Sequence, residues 1–204
     1  ANPNAQELGW RDQELVEALG GATRQNGELV PTLAGLLSFG KSLALRRLMP
    51  SHRVDYIRIS GKDWVGNSEG KFDTLDLRGP IVTLISRVIS AILDDLPKSL
   101  IMNQSTSGAR REVPSIPERV IREAVVNSLM HRSYQVHEPI QIVRYSNRIE
   151  IRNPGHLLKP EERLDSPGSI HRNPYVAAIL HETLFAETKG SGIRVMQSMM
   201  EENG

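Results

Sequence analysis

Apolar residues recur along this chain at two periods, and the period decides the elements. Helical spacing predicts helices at about Arg11 to Leu19, Thr32 to Met49, Pro80 to Leu96 and Pro117 to Arg132. Two more follow, one opened by Asn173-Pro174 and a last one opened by Gly190-Ser191-Gly192-Ile193. Strands are predicted at Val54 to Ser60, Ile140 to Tyr145 and Arg148 to Ile151, the last two joined across Ser146-Asn147 and stopped by Asn153-Pro154-Gly155. Met102 to Val113, rich in Ser, Thr and Arg around Gly108, reads as an extended hairpin or connector and sets a domain boundary near residue 113. Between Gly155 and Arg172 prolines, glycines and charges without an apolar period predict a mobile loop.

Pro117 to Arg132 differs from a two-faced surface helix. Val120, Ile121, Ala124, Val125, Val126, Leu129 and Met130 leave little of its circumference for water, so the helix is predicted to be mostly buried. Glu123, Asn127 and His131 are spaced i, i+4, i+8, which stacks a carboxylate, an amide and an imidazole along one line of the cylinder. A buried carboxylate needs a partner. A pocket holding a metal and a polyphosphate supplies one, with the Asn127 amide oxygen as a hard ligand and Glu123 accepting a proton from water. A satisfied structural network at a helix seam explains the same stripe.

About sixty residues on, Gly190, Ser191 and Gly192 open an apolar helix, and glycines there let backbone N–H groups approach an anion at the positive helix end. The same letters serve as a flexible turn or as the C-cap of the preceding helix. Chain order adds weight, because a polar helix stripe, a glycine turn after a strand and a glycine turn before a helix can meet around one ligand.

Gly35-Leu-Leu-Ser-Phe-Gly40-Lys41-Ser42 fits the P-loop pattern letter for letter. Its context does not. A phosphate loop needs a buried strand before it and small residues within it, whereas Leu36, Leu37 and Phe39 fill this one. Leu33, Leu36, Leu37, Gly40, Leu43, Ala44 and Leu48 read instead as one helical face between Pro31 and Pro50. Ile89 to Asp95 belongs to the helix running from Pro80 and is not a Walker B strand, so no motor core is visible.

Composition sets the frame for this chemistry. At 204 residues and 39% hydrophobic content the chain can bury the core of one large or two small domains. With no cysteine, disulfides and thiolate metal sites are excluded, in agreement with a reducing, cytoplasmic setting. No apolar run reaches membrane-spanning length, so no membrane partner is expected. The six histidines show no metal-ligand spacing. Net charge is +1, which confines any nucleic-acid footprint to local pairs such as Arg46-Arg47, Arg110-Arg111 and Arg119 with Arg122, each equally readable as a solvated face. The start at Ala1-Asn-Pro-Asn predicts a fragment of a longer protein.

REAVVN (122 to 127), HRSY (131 to 134), RIEIRNPGHL (148 to 157), HRNPYVAAIL (171 to 180) and KGSGI (189 to 193) together resemble the C-terminal module of RecG-related ATP-dependent DNA helicases and transcriptional regulators. That module is similar to the GHKL ATPases, which include gyrase and histidine kinases. The resemblance covers roughly residues 114 to 204 and implies an α/β (α+β) sandwich with helices on one face of a mixed sheet. Residues 1–113 then form a smaller α/β connector domain, and 114–204 a GHKL-like ATP-binding domain. TLAGLLSFGK (32 to 41) resembles the segment that in such proteins follows an Alba-like or Schlafen-type DNA-binding domain.

Carried over, the resemblance implies ATP and magnesium as cofactors, Glu123 as the residue activating water and Asn127 as the metal ligand. It implies a phosphate box at Gly190, Ser191 and Gly192, and a lid in the loop after Gly155. His131 and Arg132 are candidate phosphate contacts, His131 also reading as a core histidine bonded to backbone. GHKL proteins hold the adenine amino group with an aspartate ahead of a glycine turn, and here Asn153 and Gly155 occupy that place. The expectation is an ATP- and magnesium-binding module of a DNA-associated transcriptional regulator, slow or inactive in hydrolysis, reaching DNA through another domain and able to form a homodimer. The alternative is a non-enzymatic scaffold for dimerisation or for positioning a DNA-binding domain.

Overall fold

A computed structural model describes residues 9–64, 72–102, 110–163, 168, 170–183 and 192–202. The chain begins with helix α1 (Asp12–Ala18), a hairpin of β1 (Ala22–Gln25) and β2 (Glu28–Pro31), and two short helices, α2 (Leu33–Phe39) and α3 (Ser42–Leu48). Strands β3 (Arg53–Arg58) and β4 (Asp73–Arg78) precede α4 (Ile81–Asp95) and the β5–β6 pair (Lys98–Met102, Arg110–Pro114). Then come α5 (Glu118–His131), β7 (Ile140–Arg144), β8 (Ile149–Arg152), a 3-10 turn at Glu161–Arg163, α6 (Pro174–Glu182) and α7 (Gly192–Glu202).

The central sheet has the order β4-β3-β7-β8, with β3 parallel to β7 and antiparallel pairs on either side. Alternation along the strands decides which face is covered. Val54, Tyr56, Ile140 and Ile142 turn toward a helical layer, where Leu84, Ile85, Val88 and Ile92 of α4, Ile121, Val125 and Leu129 of α5, Ile179 and Leu180 of α6 and Leu37 of α2 complete one core. Burying each such side chain contributes about 1.5–3 kcal/mol. The other face carries a small cluster of Ile57, Ile59, Val143 and Tyr145. The protein is therefore α/β, a four-stranded mixed sheet flanked by helices. The stretches on either side of residue 113 share that sheet and that core. Among the described residues no helix is long and apolar enough to cross a membrane.

The helix predicted from Thr32 to Met49 is two helices. Gly40 and Lys41 are extended (ψ 144 and 141), and a Cβ at Gly40 would lie 2.3 Å from the Leu36 carbonyl oxygen, so the chain bends there. The bend breaks the predicted face: Leu37 and Leu45 are buried, whereas Leu43 is 80% exposed. The P-loop letters thus fall on α2 and its junction with α3, as helix spacing indicated, and Thr32 caps α2 by accepting from the Gly35 N–H at 3.1 Å. Strand β4 and the β1–β2 hairpin add to the predicted elements. The hairpin turns on Asn26-Gly27, both with positive φ (51 and 84).

Candidate functional site

Helix α5 lies against α4 and the sheet through its apolar residues, and its polar stripe is what remains at the surface of a cavity. Glu123, Asn127 and His131 are half-buried and line that cavity, which has a volume of about 570 Å³. Asn153, Gly155 and Gly192 line it too. Six residues singled out in the sequence are brought together, from α5, the turn after β8 and the start of α7. Gly190 and Ser191 lie outside the described residues, as does part of the expected lid; Leu157, Leu158 and Lys159, within that loop, line the cavity.

Asn127 donates its Nδ2–H to Glu123 Oε1 at 2.9 Å, which fixes the amide with Oδ1 directed elsewhere. Gly192 rests on this pair. A Cβ at Gly192 would lie 1.9 Å from Glu123 Oε1, so a larger residue there would displace the Glu123 carboxylate from its place beside Asn127. Gly155 has φ 115, a backbone region that favours glycine, and its backbone approaches Ser133 and the Arg172 guanidinium.

The opposite end of the cavity is imidazole-rich. His131 and His171 stack with centroids 5.6 Å apart and an interplanar angle of 16°, and His181 meets His171 edge-on at 5.9 Å. Burial lowers the His131 pKa, helped by His171 and Arg172; burial and His181 lower that of His171. Both rings thus favour the neutral form. Parallel stacking keeps their nitrogens from converging, and among the described residues no group of three His, Asp or Glu is placed to hold a metal ion.

Two expected roles fall elsewhere. Arg132 does not line the cavity; it is 1% exposed, donates to the carbonyls of Ser51 (3.2 Å) and Glu138 (2.7 Å), and lies over the Tyr134 ring at 4.9 Å. Asn173 precedes α6 without a side-chain capping bond. Its amide instead donates to the carbonyls of Met130 (2.8 Å) and Arg132 (2.9 Å), while Arg172 Nε donates to that of His131 (3.1 Å). Three successive carbonyls at the end of α5, which the helix itself cannot satisfy, are held by two adjacent side chains. The polar run His171-Arg172-Asn173 before a buried helix was the available signal for this clasp.

Residues 137–204 match the family described as "Putative ATP-dependent DNA helicase recG C-terminal". This is the resemblance that the motifs carried. The matched segment contains Asn153, Gly155 and Gly192 and begins after α5. Residues 1–55 match a family described as a domain of unknown function. No curated protein matches the chain. Among solved structures, the DIP2311 protein from Corynebacterium diphtheriae is similar, with a TM-score of 0.70 at 17% identity over 94% of this chain and 36% of that one. The likeness is one of fold, and this chain spans about a third of the length of that protein.

Proposed function

We propose that the chain is an ATP- and magnesium-binding module of a DNA-associated regulator, with slow hydrolysis. The supporting observation is the convergence of the Glu123–Asn127 pair, the Asn153 to Gly155 turn and Gly192 on one cavity of about 570 Å³, a volume suited to a nucleotide. Magnesium takes few protein oxygens and keeps water and phosphate for the rest. Asn127, whose Nδ2 is committed to Glu123, has its amide oxygen left to hold the ion. Such an ion supplies neutralisation of phosphate charge. Glu123 is the only carboxylate among the described lining residues, so the proton of an attacking water goes to it. DNA association, regulation and homodimerisation come from the resemblance and belong to the same proposal.

A second reading rests on Gly192, whose approach to Glu123 leaves no room for an ion between them. On that reading the fold is a scaffold for dimerisation or for positioning a DNA-binding domain. Melting curves with and without Mg·ATP separate the two, since a ligand bound only by the native state raises its stability by about 2.7 kcal/mol at a hundredfold excess over Kd. The nucleotide reading expects that rise in the wild type and its loss in Asn127→Ala with the apo melting point kept. An equal rise in both proteins overturns the role of Asn127, and no rise in either overturns nucleotide binding.

A further inference from the structure

Helix α7 is weakly anchored, and its seat carries an inference that rests on the nucleotide reading. None of its eleven residues is buried, whereas the shorter α6 buries Val176, Ala177, Ile179 and Leu180. The half-buried Val195, Met196 and Met199 fall on one side of α7, which packs on α5, while Ile193 and Met200 remain 37 and 39% exposed. An element with so little apolar surface covered opens locally far more readily than the core does.

The start of this loosely held helix stands at the centre of the proposed chemistry. Gly192 is its first residue and lies against Glu123 Oε1, which also accepts the Asn127 Nδ2–H at 2.9 Å. The positive end of the helix therefore faces a carboxylate of the same chain. That carboxylate stands where the negative charge of a phosphate would sit, and the Gly192 backbone closes the space that an ion beside Glu123 requires. Magnesium needs more room still, because it keeps water and phosphate oxygens around it.

We infer that the seat of α7 on α5 is an autoinhibitory contact, in which Glu123 stands in for phosphate at the helix end and Mg·nucleotide is admitted when α7 lifts from α5. A ligand that binds only the lifted form has an apparent Kd equal to the intrinsic value divided by the lifted fraction. Loosening the seat then tightens binding, the reverse of what damage to a cavity wall does.

Val195→Ser and Met199→Gln loosen the seat at residues that neither line the cavity nor belong to the buried core. In calorimetric titrations of the 204-residue chain with Mg·ATP, each variant should show a Kd lower than that of the wild type by about threefold or more, the factor by which the lifted fraction has risen. The chain has no cysteine, so spin labels on Thr74→Cys and Gln197→Cys, both exposed, report the distance from β4 to α7 directly. That distance should change when Mg·ATP is added. Weaker or unchanged binding in either variant overturns the inference, since α7 is then a wall of the site or uncoupled from it. A label distance that stays fixed while Mg·ATP binds also overturns it and leaves the nucleotide reading standing. No binding by the wild type or by either variant overturns the nucleotide reading itself, and the inference with it.

Discussion

Glu123 is where the competing readings of the site diverge. It accepts a hydrogen bond from Asn127 and lines the cavity, so it touches both a structural partner and the space where a ligand would sit. If it serves as base, Glu123→Gln keeps the shape and most of the stability and removes any ATPase activity, because an amide cannot take a proton from water. If it serves only the helix seam, the same change costs about 1–3 kcal/mol and leaves ligand binding alone. Denaturant melts beside a phosphate-release assay distinguish these outcomes, and a destabilised variant with wild-type turnover ends the catalytic role. His52 poses a simpler question. It is 3% exposed, its Nε2 meets the Gly79 carbonyl at 3.0 Å, and burial with Arg132 nearby lowers its pKa to about 4. Because the folded pKa lies below the unfolded value near 6.5, the unfolded state gains the proton first as pH falls. Stability present above pH 6.5 should be lost between about pH 6.5 and 4, by roughly 3 kcal/mol for this residue. His131 and His171 shift in the same direction. His52→Gln should flatten that decline in urea melts at pH 7 and 4.5; an equal decline in both proteins places the acid sensitivity elsewhere.

At the scale of elements, long periodic segments were legible and close approaches were not. The stripe Glu123, Asn127 and His131 could be placed on one line of α5 because helix geometry alone fixes it. The strand pair β7–β8 followed from two apolar runs and a two-residue turn. Asn26-Gly27 is an equally strong hairpin signal, but the residues flanking it, Thr23 to Gln25 and Glu28, are exposed and lack the apolar alternation that marks a strand. The break between α2 and α3 was hidden because Gly40 is tolerated in a helical pattern, whereas in the fold Gly40 and Lys41 are extended and Gly40 closes on the Leu36 carbonyl oxygen four residues before it. Arg132 was unreadable for a related reason: its partners are backbone carbonyls at Ser51 and Glu138, and no side-chain pattern announces those. The P-loop letters give a paired test. Gly35 lies in α2, where a Cβ would stand 1.7 Å from the Gly21 carbonyl oxygen, so Gly35→Ala should destabilise by about 1–3 kcal/mol or more through overpacking. Lys41→Ala, at the start of α3, should leave both stability and ATP affinity unchanged. A large loss of affinity in the lysine variant restores a phosphate loop; an undisturbed alanine variant at residue 35 denies the close packing of α2.

For the whole molecule, the cavity depends on parts of the chain that lie far from it in sequence. Its walls come from residues beyond 122, yet β7 is held on one side by β3, and α5 rests on α4 in the shared core. Removing residues 1–113 strips the parallel partner from Ile140 and Ile142 and the cover from Val125 and Leu129, all of which are at most 1% exposed. At about 1.5–3 kcal/mol for each large side chain uncovered, losing several such contacts equals or exceeds the roughly 5–15 kcal/mol that holds a typical domain together. What remains of the sheet is the β7–β8 pair, and a two-stranded sheet is marginal by itself. A fragment of residues 114–204 should therefore melt without a cooperative transition and should fail to bind Mg·ATP, while the 204-residue chain unfolds in one transition by calorimetry. Co-expression with residues 1–113 should restore the transition, because the missing strand and helices then return in trans. A fragment that melts cooperatively alone, and whose midpoint rises with Mg·ATP, shows instead that the C-terminal stretch closes its own core and holds the site without the first half.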